Sequence, residues 1–170
     1  MERRSENPKT YRAIDWESRS GFNGILDAMN DKAPKSFYDE VGGMIYFARM
    51  LDKIRLHAKG RLREDCHANL GMGATADWLC CKYLRVEYEA LKARVLEGRS
   101  DEEVLEWCFA TGRRLSETDV LIWNEFTRKR GWNDSASGRL TTWKEESGHA
   151  GRADLMTIPD YTDVLEGRKA

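Results

Sequence analysis

Residues 42–57 read GGMIYFARMLDKIRLH, and the reading of this stretch decides the fold. Wound as a helix it is apolar almost all the way round, yet Arg49, Asp52, Lys53 and His57 lie inside it. A helix of that character is buried between neighbours, not laid on a surface. Charged groups on a buried helix must be paired, or must face a cleft where something else pairs them. Met44, Phe47, Leu51, Ile54 and Ala58 follow helical spacing and form one core-facing seam. Ser36 and Asp39 stand in the S-x-x-D form of a capping box, which places the helix start directly after them. Gly60 is a natural stop.

Outward from this rod the helix signals continue. Residues 61–73 read as a loop. Thr75 caps a helix through Trp78, Leu79 and Leu84. A second helix over Tyr88–Leu96 turns Leu91 and Val95 inward and stops at Gly98. Ser100 with Glu103 opens a helix that closes at Gly112, and Ser116 with Asp119 opens VLIWNEFTRKR, which ends at Gly131. Its last turn is basic, as the helix dipole favours. A weaker helix is expected over residues 137–147, and a last short one starts at Pro159 and Asp160. Val and Ile are sparse, and no run alternates apolar with polar residues. The expected fold is therefore all-α, a compact multi-helix domain over residues 36–170 built around one central buried helix. Residues 1–35 form a polar, partly ordered arm, in which Phe22, Ile25, Leu26 and Met29 suggest one docked helix.

A chain of 170 residues suits one domain and buries enough surface to need no staple. Lys plus Arg number 28 against 29 Asp plus Glu, so the basic excess of a nucleic-acid-binding domain is missing. No apolar run reaches the length of a bilayer span, and MERRSENPKTYR lacks the apolar core of a signal peptide. The expected compartment is the cytoplasm, with no membrane or nucleic-acid partner. The cysteines at 66, 80, 81 and 108 lack C-x-x-C spacing and read as free thiols packed as small hydrophobes.

The embedded charges are the first candidate site. Arg49 to Asp52 and Asp52 to Arg55 are both i, i+3 pairs, so Asp52 is placed to bridge two guanidiniums. One reading is a solvated face whose long side chains snorkel past Ile45, Tyr46 and Leu56. The other is a half-buried basic cluster, oriented by Asp52, that receives a carboxylate or phosphate. On that second reading Asp52→Ala destabilises more than Lys53→Ala. Asn124 follows Val120, Leu121, Ile122 and Trp123, so it is at least partly buried and needs hydrogen-bond partners. It either ties a helix to a neighbour or completes the pocket. Trp123 reads as core.

Other features carry less. Cys66 and His67 are adjacent, which does not suit one metal ion, and no second pair has zinc spacing. A thiol nucleophile with His57 or His149 as base has no recognisable context. Cys80 and Cys81 are neighbours on a helix and point apart, so a disulfide is not expected. Gly71-Met72-Gly73 lacks a preceding strand and reads as turn chemistry, not a dinucleotide loop. Gly42-Gly43 allows close approach of another helix. No metal or cofactor is expected.

GGMIYFARMLDKIRL, VEYEALKARVLEGRSDEEVLEWCF, the WN of VLIWNEFTRKRGW and the closing DYTDVLEGR together resemble the bacterial family called domain of unknown function 5069, over residues 37–168. The resemblance implies a small helical cytoplasmic protein of bacterial origin; it supplies no activity, cofactor or catalytic residue. The functional expectation is a binding or interaction module with a small basic pocket for an anionic ligand, built from Arg49, Asp52, Arg55, His57 and Asn124. The alternative is an enzyme on a carboxylate- or phosphate-bearing substrate, with Arg49 and Arg55 as clamps and Asp52 or His57 as acid or base. A protein partner and a homo-oligomer are compatible with both, the latter through an apolar patch near Trp132, Trp143 and the tail.

Overall fold

Two consecutive glycines shape the start of the domain. Gly42 and Gly43 adopt φ of +56° and +76°, a left-handed pair that helices do not tolerate and that two-residue hairpin turns require. They join β1 (Glu40–Val41) to β2 (Met44–Ile45), antiparallel with Glu40 opposite Ile45 and Val41 opposite Met44. The fold is thus mostly helical with a small two-stranded sheet, which corrects the all-α expectation. The capping box expected at Ser36 and Asp39 forms a turn instead: Asp39 accepts the Ser36 amide at 2.8 Å, and β1 follows.

The computed structural model describes residues 32–170; the apolar patch of Phe22, Ile25, Leu26 and Met29 lies outside the described residues. Helix α1 spans Phe47–Ala58, beginning later than expected because the hairpin takes residues 40–45. The seam is otherwise as read: Met44, Phe47 and Leu51 are fully buried and Ile54 nearly so, although Ala58 is exposed. Gly60 turns the chain with φ +62°. A 3-10 segment (Glu64–Asn69) falls within the expected loop.

Then come α2 (Ala76–Leu84), α3 (Tyr88–Leu96), α4 (Asp101–Thr111), α5 (Glu117–Arg128), α6 (Ser137–Glu146) and α7 (Ile158–Leu165). The caps expected at Thr75, Ser100 and Ser116 are in place, and the last helix has one at Thr157 that the sequence reading did not name. The Thr75 hydroxyl accepts the Trp78 amide, Ser100 with Glu103 and Ser116 with Asp119 make reciprocal capping boxes, and Thr157 caps α7 ahead of Pro159. Each such cap contributes about 1 kcal/mol.

Helix α1 packs on α3 and β1, α3 on α4, and α5 on β2. The main core gathers Met44, Phe47, Met50 and Leu51 with Leu84, Leu91, Val104 and Trp123. A smaller cluster of Leu56, Leu62 and Cys66 lies under the 3-10 segment. Among the described residues no helix is long and apolar enough to cross a membrane.

Candidate functional site

Arg49 leaves α1 from a buried position, 4% exposed, so its guanidinium needs a full set of acceptors. The end of the chain supplies them. Helix α7 ends at Leu165, and Glu166 directs its carboxylate at Arg49: Nη1 donates to Oε2 at 2.9 Å and Nη2 to Oε1 at 2.6 Å. This is the parallel two-bond geometry in which a guanidinium recognises a carboxylate best. Gly167, at φ +73°, turns the chain, and Arg168 donates to Oε2 of the same carboxylate. Arg49 also donates to the Lys35 carbonyl at 2.7 Å, and its guanidinium stands 5.1 Å from the centre of the Phe37 ring. Arg168 donates to the Pro34 carbonyl, while the Ser36 hydroxyl donates to Asp163 at 2.8 Å. Residues 34–37 are in this way held between α1 and α7.

Burial works to raise the Glu166 carboxyl, but the hydrogen bonds and charge of Arg49 outweigh it and hold it below the ordinary carboxylate range. The same balance runs on the other side, where burial opposes the Arg49 charge and Glu166 more than restores it. The fork is fully ionised at neutral pH.

A second buried network lies one turn further along α1. Lys53, 3% exposed, places Nζ 2.8 Å from Oδ1 of Asp77, which is fully buried in the first turn of α2. The Tyr46 hydroxyl donates to the same oxygen at 2.7 Å and accepts from Lys53 at 3.1 Å. Asp77 Oδ2 accepts the Gly71 amide at 3.2 Å. The turn at Gly71 thus gives one backbone amide to the chain's own carboxylate. Tyr46 sits at φ +71°, a conformation rare for an aromatic residue and worth about 1–3 kcal/mol of strain. Burial, then the neighbouring Asp77, push its phenol well above the usual value, so it stays a hydrogen-bond donor.

The remaining candidates have separate partners. Asp52 accepts the Lys35 amide at 3.0 Å, and the two guanidiniums it was expected to bridge go instead to Glu166 and Asp101. Arg55 donates to Asp101 Oδ1 at 2.5 Å and to the Arg99 carbonyl at 3.0 Å. Lys35 donates to the other Asp101 oxygen at 2.8 Å. His57 is exposed and meets His67 edge to face, centroids 5.0 Å apart. Asn124 lies against the hairpin: Oδ1 accepts the Ile45 amide at 3.0 Å and Nδ2 donates to the Gly43 carbonyl at 2.8 Å. Trp123, 3% exposed, donates to the Ile45 carbonyl at 2.9 Å. Asn124 thus ties a helix to its neighbour.

The thiols are poor nucleophiles. Burial pushes Cys66 up to about 11 and Cys81 and Cys108 up to about 12, so each stays protonated at neutral pH. All four cysteines are free.

Sequence reasoning passed over Glu166, Arg168, Asp163, Asp77 and Tyr46. Tyr46 precedes α1 at φ +71°, so helical spacing does not announce its meeting with Lys53. Glu166 follows Arg49 by 117 positions, and no local pattern announces so distant a pairing.

A profile of the family named Domain of unknown function (DUF5069) matches residues 31–168. The chain belongs to that family. No curated protein matches it.

Proposed function

We propose that this chain is a binding module, acting without covalent chemistry, whose ligand is a small carboxylate-bearing anion received by Arg49. One observation supports the reading: two guanidiniums, those of Arg49 and Arg168, already hold a carboxylate between them in a water-poor site. That carboxylate belongs to Glu166, in the short segment that follows α7. On this reading the Glu166 side chain is a resident stand-in, and its withdrawal from Arg49 and Arg168 opens the site to an outside anion of the same chemistry. Helix α1 is taken as the central buried helix of the domain, and the four free thiols favour the cytoplasm as its compartment.

The test is a thermal-shift series with acetate, succinate and inorganic phosphate on the natural chain and on Glu166→Ala, each against chloride at equal ionic strength. A rise in melting temperature with the carboxylates, larger in Glu166→Ala and lost in Arg49→Met, is the expected result. Should Glu166→Ala not fold, Glu166→Gln keeps the shape of the side chain while giving up its charge. No carboxylate-specific shift in any of these proteins removes the reading. A ligand that binds and is consumed replaces it with the enzyme alternative.

A further inference from the structure

Two buried carboxylates share one donor near the end of the chain. Arg168 Nη1 donates to Oε2 of Glu166 and stands 3.4 Å from Oδ1 of Asp163. Asp163 is 4% exposed and is held by the Ser36 hydroxyl, which lies 2.8 and 3.1 Å from its two oxygens. Together with Arg49 these groups carry two positive and two negative charges, so the cluster is neutral as it stands. The Glu166 side chain is itself 3% exposed, so its methylenes as well as its carboxylate fill closed space.

We propose, on the footing of the carboxylate reading above, that the anion received by Arg49 is a short aliphatic monocarboxylate of the size of acetate or propionate, and that Asp163 is the residue that rejects doubly charged anions. Both properties follow from what stays behind when the Glu166 side chain withdraws. The first is charge. Arg49, Arg168 and Asp163 leave one positive charge uncompensated, and a singly charged anion cancels it. A doubly charged anion overshoots by one charge in a water-poor site, where an unpaired charge is costly. The second is size. Rotation about the Cα–Cβ bond leaves Cβ in place and vacates the room of one methylene and one carboxylate, which are the heavy atoms of acetate. Both guanidiniums keep an acceptor meanwhile. Arg49 retains the Lys35 carbonyl at 2.7 Å and Arg168 the Pro34 carbonyl, so each remains oriented before the anion arrives.

Melting-temperature titrations of the natural chain test this at neutral pH and constant ionic strength, with acetate, propionate, hexanoate and oxalate as probes. Acetate and propionate should bind at least about tenfold more tightly than hexanoate, which is too long, and than oxalate, which is close to propionate in size but doubly charged. Asp163→Asn raises the charge of the vacated site by one, so it should close most of the gap between oxalate and propionate while hexanoate stays weak. Should Asp163→Asn not fold, the order of affinities in the natural chain decides alone. Oxalate or hexanoate binding the natural chain as tightly as propionate overturns the proposal and leaves a carboxylate-binding module in place. A gap that Asp163→Asn leaves untouched overturns the part given to Asp163. A chain that answers to none of the four probes removes the carboxylate reading as well.

Discussion

Lys53 Nζ and Asp77 Oδ1 lie 2.8 Å apart with both side chains almost completely removed from solvent, and the hydroxyl of Tyr46 bonds to both. A pair of this kind adds little net stability relative to a well-packed apolar core, but losing one member strands the other. The ion pair therefore dictates which substitutions on α1 are costly.

Lys53→Ala and Asp77→Ala should each destabilise the fold by about 3–5 kcal/mol, because each leaves an uncompensated buried charge. Asp52→Ala, which gives up one bond to the Lys35 amide from a half-exposed position, should cost about 1 kcal/mol. This reverses the order expected from the sequence, since Lys53 and not Asp52 is the buried member. Urea unfolding of the three variants decides the matter; equal midpoints for Lys53→Ala and Asp52→Ala would contradict it.

Arg49 and Glu166 join α1 to the end of the chain. Arg49→Met and Glu166→Ala should each lower stability by about 3–5 kcal/mol, and the double variant should lose less than the sum of the two. Removing residues 166–170 should cost more than Glu166→Ala, since it also takes away Arg168 and its bond to the Pro34 carbonyl. A double-mutant cycle measured by chemical denaturation checks this, and strict additivity would show that the two side chains do not interact in solution.

The hairpin glycines should differ from each other. A Cβ at Gly42 meets Leu105 Cδ2 at 2.7 Å, and Leu105 is a core residue with little room to move. At Gly43 the nearest atom is Val120 Cγ1 at 3.9 Å, an ordinary contact. Both alanines bear the left-handed backbone cost of about 1–2 kcal/mol, and Gly42→Ala adds overpacking of about 1–3 kcal/mol. Gly42→Ala should melt lower than Gly43→Ala, and shortening Leu105 should recover part of that difference. Identical melting temperatures would place Leu105 away from the turn.

Stability should form a plateau bounded on both sides. Glu166 and Asp101 are held below their ordinary values of 4.5 and 3.8: burial opposes this in each, but hydrogen bonds from Arg49 in the first case, and from Lys35 and Arg55 in the second, prevail. Their contribution is complete above the ordinary carboxyl range and is lost as pH falls through the depressed values. Cys66, Cys81, Cys108 and Tyr46 are raised mainly by burial, from 9.0 for the thiols and 10.0 for the phenol. Their contribution is complete below those ordinary values and is lost as pH climbs above them. Melting temperature against pH should be flat from about pH 5 to 9 and fall on either side. Glu166→Gln should flatten the acid limb and Cys108→Ala the alkaline one. Unchanged limbs would assign the pH dependence to other groups.

The apolar period of residues 44–54, the serine and threonine caps at 75, 100 and 116, and the glycine stops were all readable in the chain, because each depends on contacts within a few residues. The Val41-Gly42-Gly43-Met44 turn was equally local and was misread, since the helical seam beginning at Met44 hid a two-residue hairpin signal. The paired glycines were the clue.

What the amino-acid order settled alone was therefore the succession of helices, their caps and ends, and the presence of charges on an otherwise apolar rod. Which partner each charge found was settled only when the chain closed on itself, bringing Asp77 to Lys53, Asp101 to Arg55 and Glu166 to Arg49. Backbone hydrogen bonding and capping act over three or four residues, so sequence carries them plainly. A buried ion pair acts over a few ångströms of space between residues as many as 117 positions apart, and only the folded packing creates that proximity.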